Sequence, residues 1–254
     1  MKVMLVPSAV SEPAGQQFLT SFLVNDSLAI DAGSIGFFAD PQTQARVRHL
    51  LISHSHIDHL ASLPILLDNI VLLNDSPVTV HASSAVHDCL RRDLFNDRLW
   101  PDFFKLKAGA TPFLRFEILE AGQTVVLESL RITAVSVNHV VPTLGYIVED
   151  PSAAVVFTSD TGPTDEIWRR ANQLSHLRAV FLEATFPTEL GGLAEASKHF
   201  TTEGFAKEVQ KVKPGTRLFA VHLKPRFQAQ VRAELQALGL PNLEVAEAGR
   251  EYHF

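Results

Sequence analysis

Apolar and polar positions along the first half of the chain predict short β-strands alternating with helices. Brief runs rich in apolar and β-branched residues, bounded by turn-forming residues, predict strands at residues 3–6, 18–24, 27–31, 50–53 and 78–81. Residues 60–73 are apolar over helical length, and Pro64 suits the first turn of a helix that begins near Ala61. Ser83 or Ser84 can cap a further helix that runs to Phe95.

The second half repeats this pattern. Strands are predicted at residues 124–127, 130–138, 144–149, 154–158, 179–183, 218–222 and 243–246. Helices are predicted at residues 165–174, 202–212 and 228–238. Because strands cluster in each half, with helices between and after them, we expect two mixed sheets packed face to face with helices on both outer faces. This is an α/β (α+β) fold, a four-layer αββα sandwich, expected as a single domain over residues 1–254.

Composition permits a large core and argues against several other classes of protein. Of the 254 residues, 46% are hydrophobic, and the formal net charge of −6 does not favour a surface that coats nucleic acid. Cys89 is the single cysteine, so the chain is not a disulfide scaffold. The apolar run near Met1 is too short for a signal peptide, and no run approaches the ~20 residues of a membrane span. These features predict a cytoplasmic protein with no membrane partner.

The densest candidate chemistry lies directly after the predicted strand at residues 50–53. His54, His56, Asp58 and His59 form the pattern H-x-H-x-D-H, which brings four side chains that can bind metal into six residues. Imidazole and carboxylate groups are common ligands of zinc and similar divalent metals. The density exceeds what one tetrahedral ion with an open position can use, and it fits two neighbouring ions. The pattern therefore indicates a binuclear hydrolytic site, because paired ions activate water and stabilise an anionic transition state.

Later strands supply further candidates at their ends. His139 follows residues 130–138, Asp160 follows residues 154–158, and His222 ends residues 218–222. These side chains would converge on the first cluster if the strand ends share one edge of the sandwich. A lone histidine is more often an exposed or hydrogen-bonded core residue, and this role is assigned to His49, His81, His87, His176 and His253.

On these residues the chain resembles the metallo-β-lactamase superfamily of hydrolases, which has the αββα sandwich. The resemblance implies two divalent ions, zinc first with manganese or iron as alternatives. It implies the ligands His54, His56 and His139 for one ion, and Asp58, His59 and His222 for the other. Asp160 would bridge both ions together with a hydroxide. Asp31 matches the acidic residue that orients the ligand histidines in this superfamily, although an aspartate before Gly33 also suits a plain turn.

Several further segments resemble class II 3′,5′-cyclic-nucleotide phosphodiesterases within that superfamily. Residues 95–103 match their F-N-x-x-[LI]-W-P-D-F segment, and residues 139–146 fit H-x-x-x-[ST]-x-G-Y. Residues 58–65 are similar to D-H-x-x-G-L-P-I, with Ser62 in place of the glycine, and residues 159–163 match [GS]-D-T-G-P. The resemblance therefore implies hydrolysis of cyclic AMP or cyclic GMP.

Two segments depart from these phosphodiesterases. Residues 199–202 read His-Phe-Thr-Thr where H-L-T-P is usual, and residues 183–186 read Glu-Ala-Thr-Phe where E-x-S-F is common. The Glu-Ala-Thr-Phe segment also resembles the corresponding segment of transfer-RNA 3′-processing endonucleases of the same superfamily. Those nucleases carry a long basic arm between the third histidine motif and the bridging aspartate, whereas only a short predicted strand pair separates His139 from Asp160.

Further residues are candidates for catalysis. His199 lies directly before a predicted helix start, where backbone N–H groups would favour an anion. We expect it to donate a proton to the leaving ribose oxygen or to contact the phosphate, with Glu183 positioning it, although it also suits an ordinary polar loop residue. Asp58 is expected to be both ligand and catalytic residue. Substrate contacts are predicted for Thr143, Trp100 and Lys224, although Trp100 is equally expected to pack against the core and Lys224 is equally expected to be a solvated charge. The expected partner is a small cyclic nucleotide rather than nucleic acid, and a homodimer is common among relatives. The alternatives are phosphodiesterases acting on RNA ends or other small cyclic phosphates, and a non-catalytic metal-sensing module.

Overall fold

The computed structural model describes residues 1–8, 16–73 and 76–254. The chain divides into two compact units. The N-terminal unit comprises Lys2–Glu120 and Ala248–His253, and the C-terminal unit comprises Met1, Ala121–Glu247 and Phe254. Each unit contains one large mixed sheet with helices. The single domain predicted for residues 1–254 stays a prediction.

The elements are numbered in chain order. The strands are β1 (Lys2–Leu5), β2 (Phe22–Val24), β3 (Leu28–Ile30), β4 (His49–Ile52), β5 (Val78–Ala82), β6 (Lys107–Ala108), β7 (Thr111–Pro112), β8 (Leu114–Ile118), β9 (Thr124–Leu127), β10 (Leu130–Val137), β11 (Thr143–Glu149), β12 (Ala154–Phe157), β13 (Leu177–Glu183), β14 (Arg217–Val221), β15 (Leu243–Val245) and β16 (Glu251–His253). The helices are α1 (Pro41–Gln44), α2 (Ile57–Leu60), α3 (Leu63–Ile70), α4 (Ser84–Cys89), α5 (Glu166–Ala171), α6 (Gly191–Ser197), α7 (Thr202–Glu208) and α8 (Gln228–Ala237).

The sheet of the N-terminal unit has the strand order β16-β1-β2-β3-β4-β5-β8. Pairing is antiparallel from β16 to β3 and parallel from β3 to β8. Leu50 and Ile52 of β4 pack in one core cluster with Leu66 of α3, and Leu51, which points to the opposite face, is also fully buried. A strand buried on both faces needs a continuous apolar run, which explains the sequence of β4.

The sheet of the C-terminal unit has the strand order β15-β14-β13-β12-β11-β10-β9. Pairing is parallel from β12 to β15 and antiparallel from β9 to β12. One face packs against Trp168, Phe205 and Leu235 from α5, α7 and α8. The order and directions place the carboxyl ends of β10, β12, β13 and β14 at the same edge of this sheet, which is where its polar candidates lie.

The predicted mixed α/β fold with two large mixed sheets is confirmed, but several boundaries and elements differ. The strand predicted at residues 18–24 begins at Phe22, and the helix predicted to reach Phe95 changes to a π-helical turn at Leu90–Leu94. Strands β8 and β16 and helix α6 were not predicted. Among the described residues, no helix combines the length and apolar character that crossing a membrane requires.

Two histidines that were predicted to be exposed or hydrogen-bonded core residues form a pair in the N-terminal unit, in which His81 is buried and His49 is half-buried. His49 Nδ1 lies 3.1 Å from His81 Nε2, so one ring donates a hydrogen bond to the other. His81 is 5% exposed, and burial together with repulsion from His49 lowers the pKa of His81 to about 4. The folded state therefore binds a proton at His81 less readily than the unfolded chain does.

We expect this pair to make stability fall in mild acid. Above the ordinary histidine pKa of about 6.5 both states have neutral His81, and between there and about 4 mainly the unfolded state takes up the proton. His81→Gln keeps a hydrogen-bonding side chain without titrating. The free energy of unfolding in urea, measured with a chelator at pH 7.5 and 4.5, should fall less in this variant than in the parent or in a His253→Gln control. An equal fall in all three would contradict the assignment.

Candidate metal centre

The first cluster of candidate ligands lies in the loop between β4 and α2. His54 and His59 are fully buried, and the ring of His54 lies 4.7 Å from that of His56 and 4.2 Å from that of His59, measured between centroids. His56 is the N-cap residue of α2, and the turn of helix that follows carries Asp58 and His59. The loop thus gathers three imidazoles and one carboxylate within the N-terminal unit.

Asp31 fixes the orientation of two of these imidazoles. It follows β3 and is 2% exposed, and one of its oxygens accepts from His59 Nδ1 at 2.7 Å. The same oxygen accepts from the Ser53 hydroxyl at 2.9 Å, while the other oxygen accepts from the Ser53 backbone N–H at 2.8 Å. Because the single hydroxyl proton of Ser53 goes to Asp31, its oxygen accepts from His54 Nδ1 at 2.9 Å. His54 and His59 therefore carry Nδ1 protons and keep Nε2 as the ligand atom.

Backbone contacts hold the Asp31 loop against the histidine loop. The N–H of Ala32 donates to the carbonyl of His59 at 2.7 Å, and the N–H of Thr20 donates to the carbonyl of Asp58 at 2.8 Å. A Cβ atom on Gly33 would lie 2.1 Å from the Asp58 carbonyl oxygen, so this close approach requires glycine. Gly33 was considered as part of a plain turn after Asp31, and the structure shows that it also allows the close contact with the histidine loop.

The second cluster lies at the shared edge of the C-terminal sheet. Asp160 follows β12 and His222 follows β14, and Asp160 Oδ1 lies 3.5 Å from His222 Nδ1. His139 follows β10, and its Nδ1 donates to the carbonyl of Lys198 at 3.2 Å. A ligand atom of His139 and one of His222 each lie within 4.8 Å of Asp160. The topology thus brings three predicted ligands together within the C-terminal unit.

Glu183 and His199 form a buried pair beside these ligands. Glu183, at the end of β13, is fully buried and accepts from the N–H of Thr161 at 2.9 Å, from the N–H of Phe200 at 3.2 Å and from the Thr185 hydroxyl. It also accepts from His199 Nδ1 at 2.7 Å. Burial acts to lower the pKa of His199, but the hydrogen bond and charge of Glu183 outweigh it and raise that pKa above its ordinary value.

The His199 ring lies among the candidate ligands of the C-terminal unit. It stacks on the ring of His222 with 5.5 Å between centroids and meets the ring of His139 edge-on at 5.0 Å. Lys224 Nζ lies 3.4 Å from His222 Nε2, so a cationic side chain also reaches this edge. An imidazole and an ammonium beside the ligands are suited to contact an anionic substrate.

Two residues predicted to bind substrate have local packing roles. Trp100 pairs with Phe95 through an isolated bridge and meets the ring of Phe103 edge-on at 6.3 Å. Thr143 is 3% exposed, and its hydroxyl donates to the carbonyl of Val141 at 2.9 Å. These contacts account for both positions by packing, and a role of either residue in substrate binding stays a prediction.

Three contributors were missed from the sequence. Ser53 links Asp31 to His54, Thr185 donates to Glu183, and Lys198 contacts His139 with both its carbonyl and its side chain. A hydroxyl directly before His54 at a strand end was a usable signal for Ser53, and the Glu-Ala-Thr-Phe segment contained Thr185. Lys198 gave no signal, because its partner lies 59 residues away in sequence.

Both clusters have the donor chemistry of a divalent metal site. Imidazole rings and carboxylates are the usual ligands of zinc and related ions, and the ring nitrogen that does not bind the metal usually donates to an acceptor. Here the Nδ1 atoms of His59 and His139 have such acceptors, and the Asp160 carboxylate is buried. The residues present therefore fit a metal, which the H-x-H-x-D-H pattern predicted.

Comparison with known proteins identifies the family. A family model described as the beta-lactamase superfamily domain matches residues 29–223, which is more than half of the chain. The chain therefore belongs to the beta-lactamase superfamily, and the resemblance predicted from its motifs is confirmed. It is a hydrolase of the metallo-β-lactamase fold, and the relatives of this fold include phosphodiesterases.

Individual relatives agree with this assignment. The chain is 26% identical over 262 residues to a probable 3′,5′-cyclic-nucleotide phosphodiesterase of Yersinia pestis, covering 83% of this chain and 75% of the relative. It is 28% identical over 170 residues to an endoribonuclease of Candida albicans, covering 59% of this chain but only 19% of that protein. The crystal structure of unliganded yeast PDE1 matches with a TM-score of 0.79 at 15% identity, covering 100% of this chain and 99% of that one.

We expect Asp31→Asn to weaken metal binding. Asparagine tolerates the left-handed φ of +60° at this position, but its single acceptor oxygen cannot accept from both the Ser53 backbone N–H and His59 Nδ1, which bond to different oxygens of the carboxylate. Loss of such a supporting contact costs about 10–100-fold in metal affinity. Zinc affinity measured by competition with a chelator should fall by that factor, whereas the exposed α3 control Asp68→Asn should bind as the parent does. Unchanged affinity in Asp31→Asn would show that Asp31 has no such role.

Proposed function

We propose that the chain is a binuclear metal-dependent phosphodiesterase that hydrolyses 3′,5′-cyclic nucleotides. The observation that carries this proposal is the pair of clusters in which His54, His59 and His139 have their Nδ1 atoms fixed by acceptors, with a His199–Glu183 pair beside one cluster. The family match supports hydrolysis, and the name of the Yersinia pestis relative supports the cyclic-nucleotide substrate. The phosphodiesterase-like segments at residues 58–65, 95–103, 139–146 and 159–163 support it independently.

We further propose that both clusters serve one pair of ions. The first ion would be held by His54, His56 and His139, the second by Asp58, His59 and His222, and Asp160 would be shared. An ion in a hydrolytic site takes three or four protein ligands and keeps a position open. Seven donors, one of them shared, therefore suit two ions. Zinc is the first choice for a set this rich in imidazole, with manganese or iron as alternatives.

The remaining residues would prepare the substrate for attack on phosphorus. When bound, paired divalent ions lower the pKa of coordinated water from ~15.7 to about 7 and offset charge on the phosphoryl group. His199 would give the proton on its Nε2 to the leaving ribose oxygen, while Glu183 holds the opposite nitrogen and keeps the ring oriented. Lys224 would contact a phosphoryl oxygen, since its ammonium lies beside His222.

A transfer-RNA 3′-processing type of nuclease is the second candidate. The Glu183-Ala184-Thr185-Phe186 segment and the partial match to a Candida albicans endoribonuclease favour it. Against it, β10 and β12 are joined through β11 alone, without the inserted basic arm expected of such nucleases, and the net charge of −6 gives little help in holding a polyanion. A small cyclic phosphodiester is therefore the better-supported substrate.

A panel of four substrates tests the proposal. With zinc or manganese, the parent protein should hydrolyse cyclic AMP or cyclic GMP faster than bis(p-nitrophenyl) phosphate and should leave unprocessed transfer RNA uncut. His56→Ala should lose metal and lower phosphodiesterase turnover by more than about 100-fold, beyond the loss caused by residues that only support ligands. Metal content and initial rates measure both effects.

The exposed His253→Ala variant is the matched control for this panel and should keep full metal content and activity. Full metal binding and full activity in His56→Ala would mean that the ligand assignment is wrong. Cleavage of transfer RNA in preference to cyclic nucleotides would instead favour the nuclease.

We expect His199→Ala to lower turnover without loss of metal. A general acid contributes about 10²–10⁴-fold to rate, so turnover of cyclic AMP should fall by that factor while both ions stay bound. A substrate with a better leaving group, bis(p-nitrophenyl) phosphate, needs less protonation and should lose less. His176→Ala, at a half-buried position before β13, serves as control. Equal losses on both substrates would argue against proton donation by His199.

A further inference from the structure

Lys198 has an unusual backbone conformation directly before His199. It is the C-cap residue of α6, with φ +53° and ψ +52° in the left-handed region. Helices that end in this way usually place glycine or asparagine there, because a larger side chain crowds the backbone. A lysine in this conformation destabilises the folded state relative to glycine. We therefore expect its side chain to make a contact that offsets this cost.

The compensating contact joins Lys198 to His139. Lys198 Nζ donates to the carbonyl oxygen of His139 at 3.2 Å, and His139 Nδ1 donates to the carbonyl oxygen of Lys198 at 3.2 Å. The two residues thus exchange hydrogen bonds across 59 positions of sequence. One bond fixes the imidazole ring, and the other holds the backbone from which that ring projects.

The same residue also determines where His199 lies. The peptide after Lys198 leads into His199, whose N–H donates to the carbonyl of Ala194 at 2.9 Å and whose Nδ1 donates to Glu183. The rings of His139 and His199 meet edge-on at 5.0 Å. A shift at Lys198 would therefore move a candidate metal ligand and the candidate proton donor together.

We propose that Lys198 is a positioning residue for the metal centre. Its carbonyl selects the His139 tautomer that keeps Nε2 as the ligand atom, and its ammonium fixes the His139 main chain. This inference rests on the proposed metal site. An ordinary helix cap makes a different prediction, because replacing a left-handed lysine by glycine should then stabilise the fold and leave metal binding unchanged.

The test compares Lys198→Gly, Lys198→Met and Lys198→Arg in the full chain. Zinc affinity is measured by chelator competition, and thermal unfolding is measured without metal. Lys198→Gly should unfold at the parent temperature or higher but bind zinc about tenfold more weakly, at the lower end of the loss for residues that support ligands. Lys198→Met should show the same loss of affinity, and Lys198→Arg, which keeps a cationic donor, should recover most of it.

Lys207→Met, an exposed lysine of α7, is the control and should bind zinc as the parent does. The inference fails if the parent binds zinc and Lys198→Met binds it equally well, or if affinity falls only in proportion to a lowered unfolding temperature. A parent protein that binds no zinc, manganese or iron would overturn the proposed function, and this inference with it.

Discussion

A fixed acceptor behind three of the candidate ligand imidazoles, and behind His199, is the constraint on which the candidate centre depends. A neutral imidazole has one N–H and one lone pair, so a ring can present a ligand nitrogen only when its other nitrogen has an acceptor. Asp31 serves His59 directly and His54 through Ser53, and the Lys198 carbonyl serves His139. Glu183 gives His199 the same support. These acceptors come from strand ends and a helix end, so the sheets determine the chemistry of the rings.

Aiming side chains from strand ends has a conformational cost, which is visible in the backbone. Asp31, Ser159, Lys198 and His222 all have positive φ values between 53° and 60°, and each lies in or directly beside a cluster. Aspartate and histidine adopt this region more often than serine and lysine do, so the cost is greatest at Ser159 and Lys198. Backbone strain of this kind persists where surrounding contacts over-determine it, which is common at functional sites. The bonds from Asp31 to Ser53 and His59 are such contacts.

The parts that sequence could predict are those with local signals. The H-x-H-x-D-H cluster follows strand β4 as its pattern indicated, most strands lie where they were predicted, and Ser83, one of the two serines predicted as a cap, is the N-cap of α4. Strand β16 is three residues long and pairs with β1 from the other end of the chain, so nothing local marks it. Strand β8 does alternate apolar and polar residues, but its parallel pairing with β5 depends on the fold. Lys198 was missed because only tertiary structure brings it to His139.

The buried Glu183 also bears on whether the centre is catalytic or only binds metal. A metal-sensing module needs ligands and their acceptors, but it needs no second imidazole held by its own buried carboxylate. Burying a carboxylate is costly unless donors surround it, and here two backbone N–H groups, the Thr185 hydroxyl and His199 do so. One of those N–H groups belongs to Thr161, the residue after Asp160, so the same carboxylate ties the proposed shared ligand to the proposed proton donor. The buried Glu183 carboxylate is costly in free energy, and it supports His199, which is not one of the proposed ligands. This favours a role in proton transfer over storage or sensing of metal.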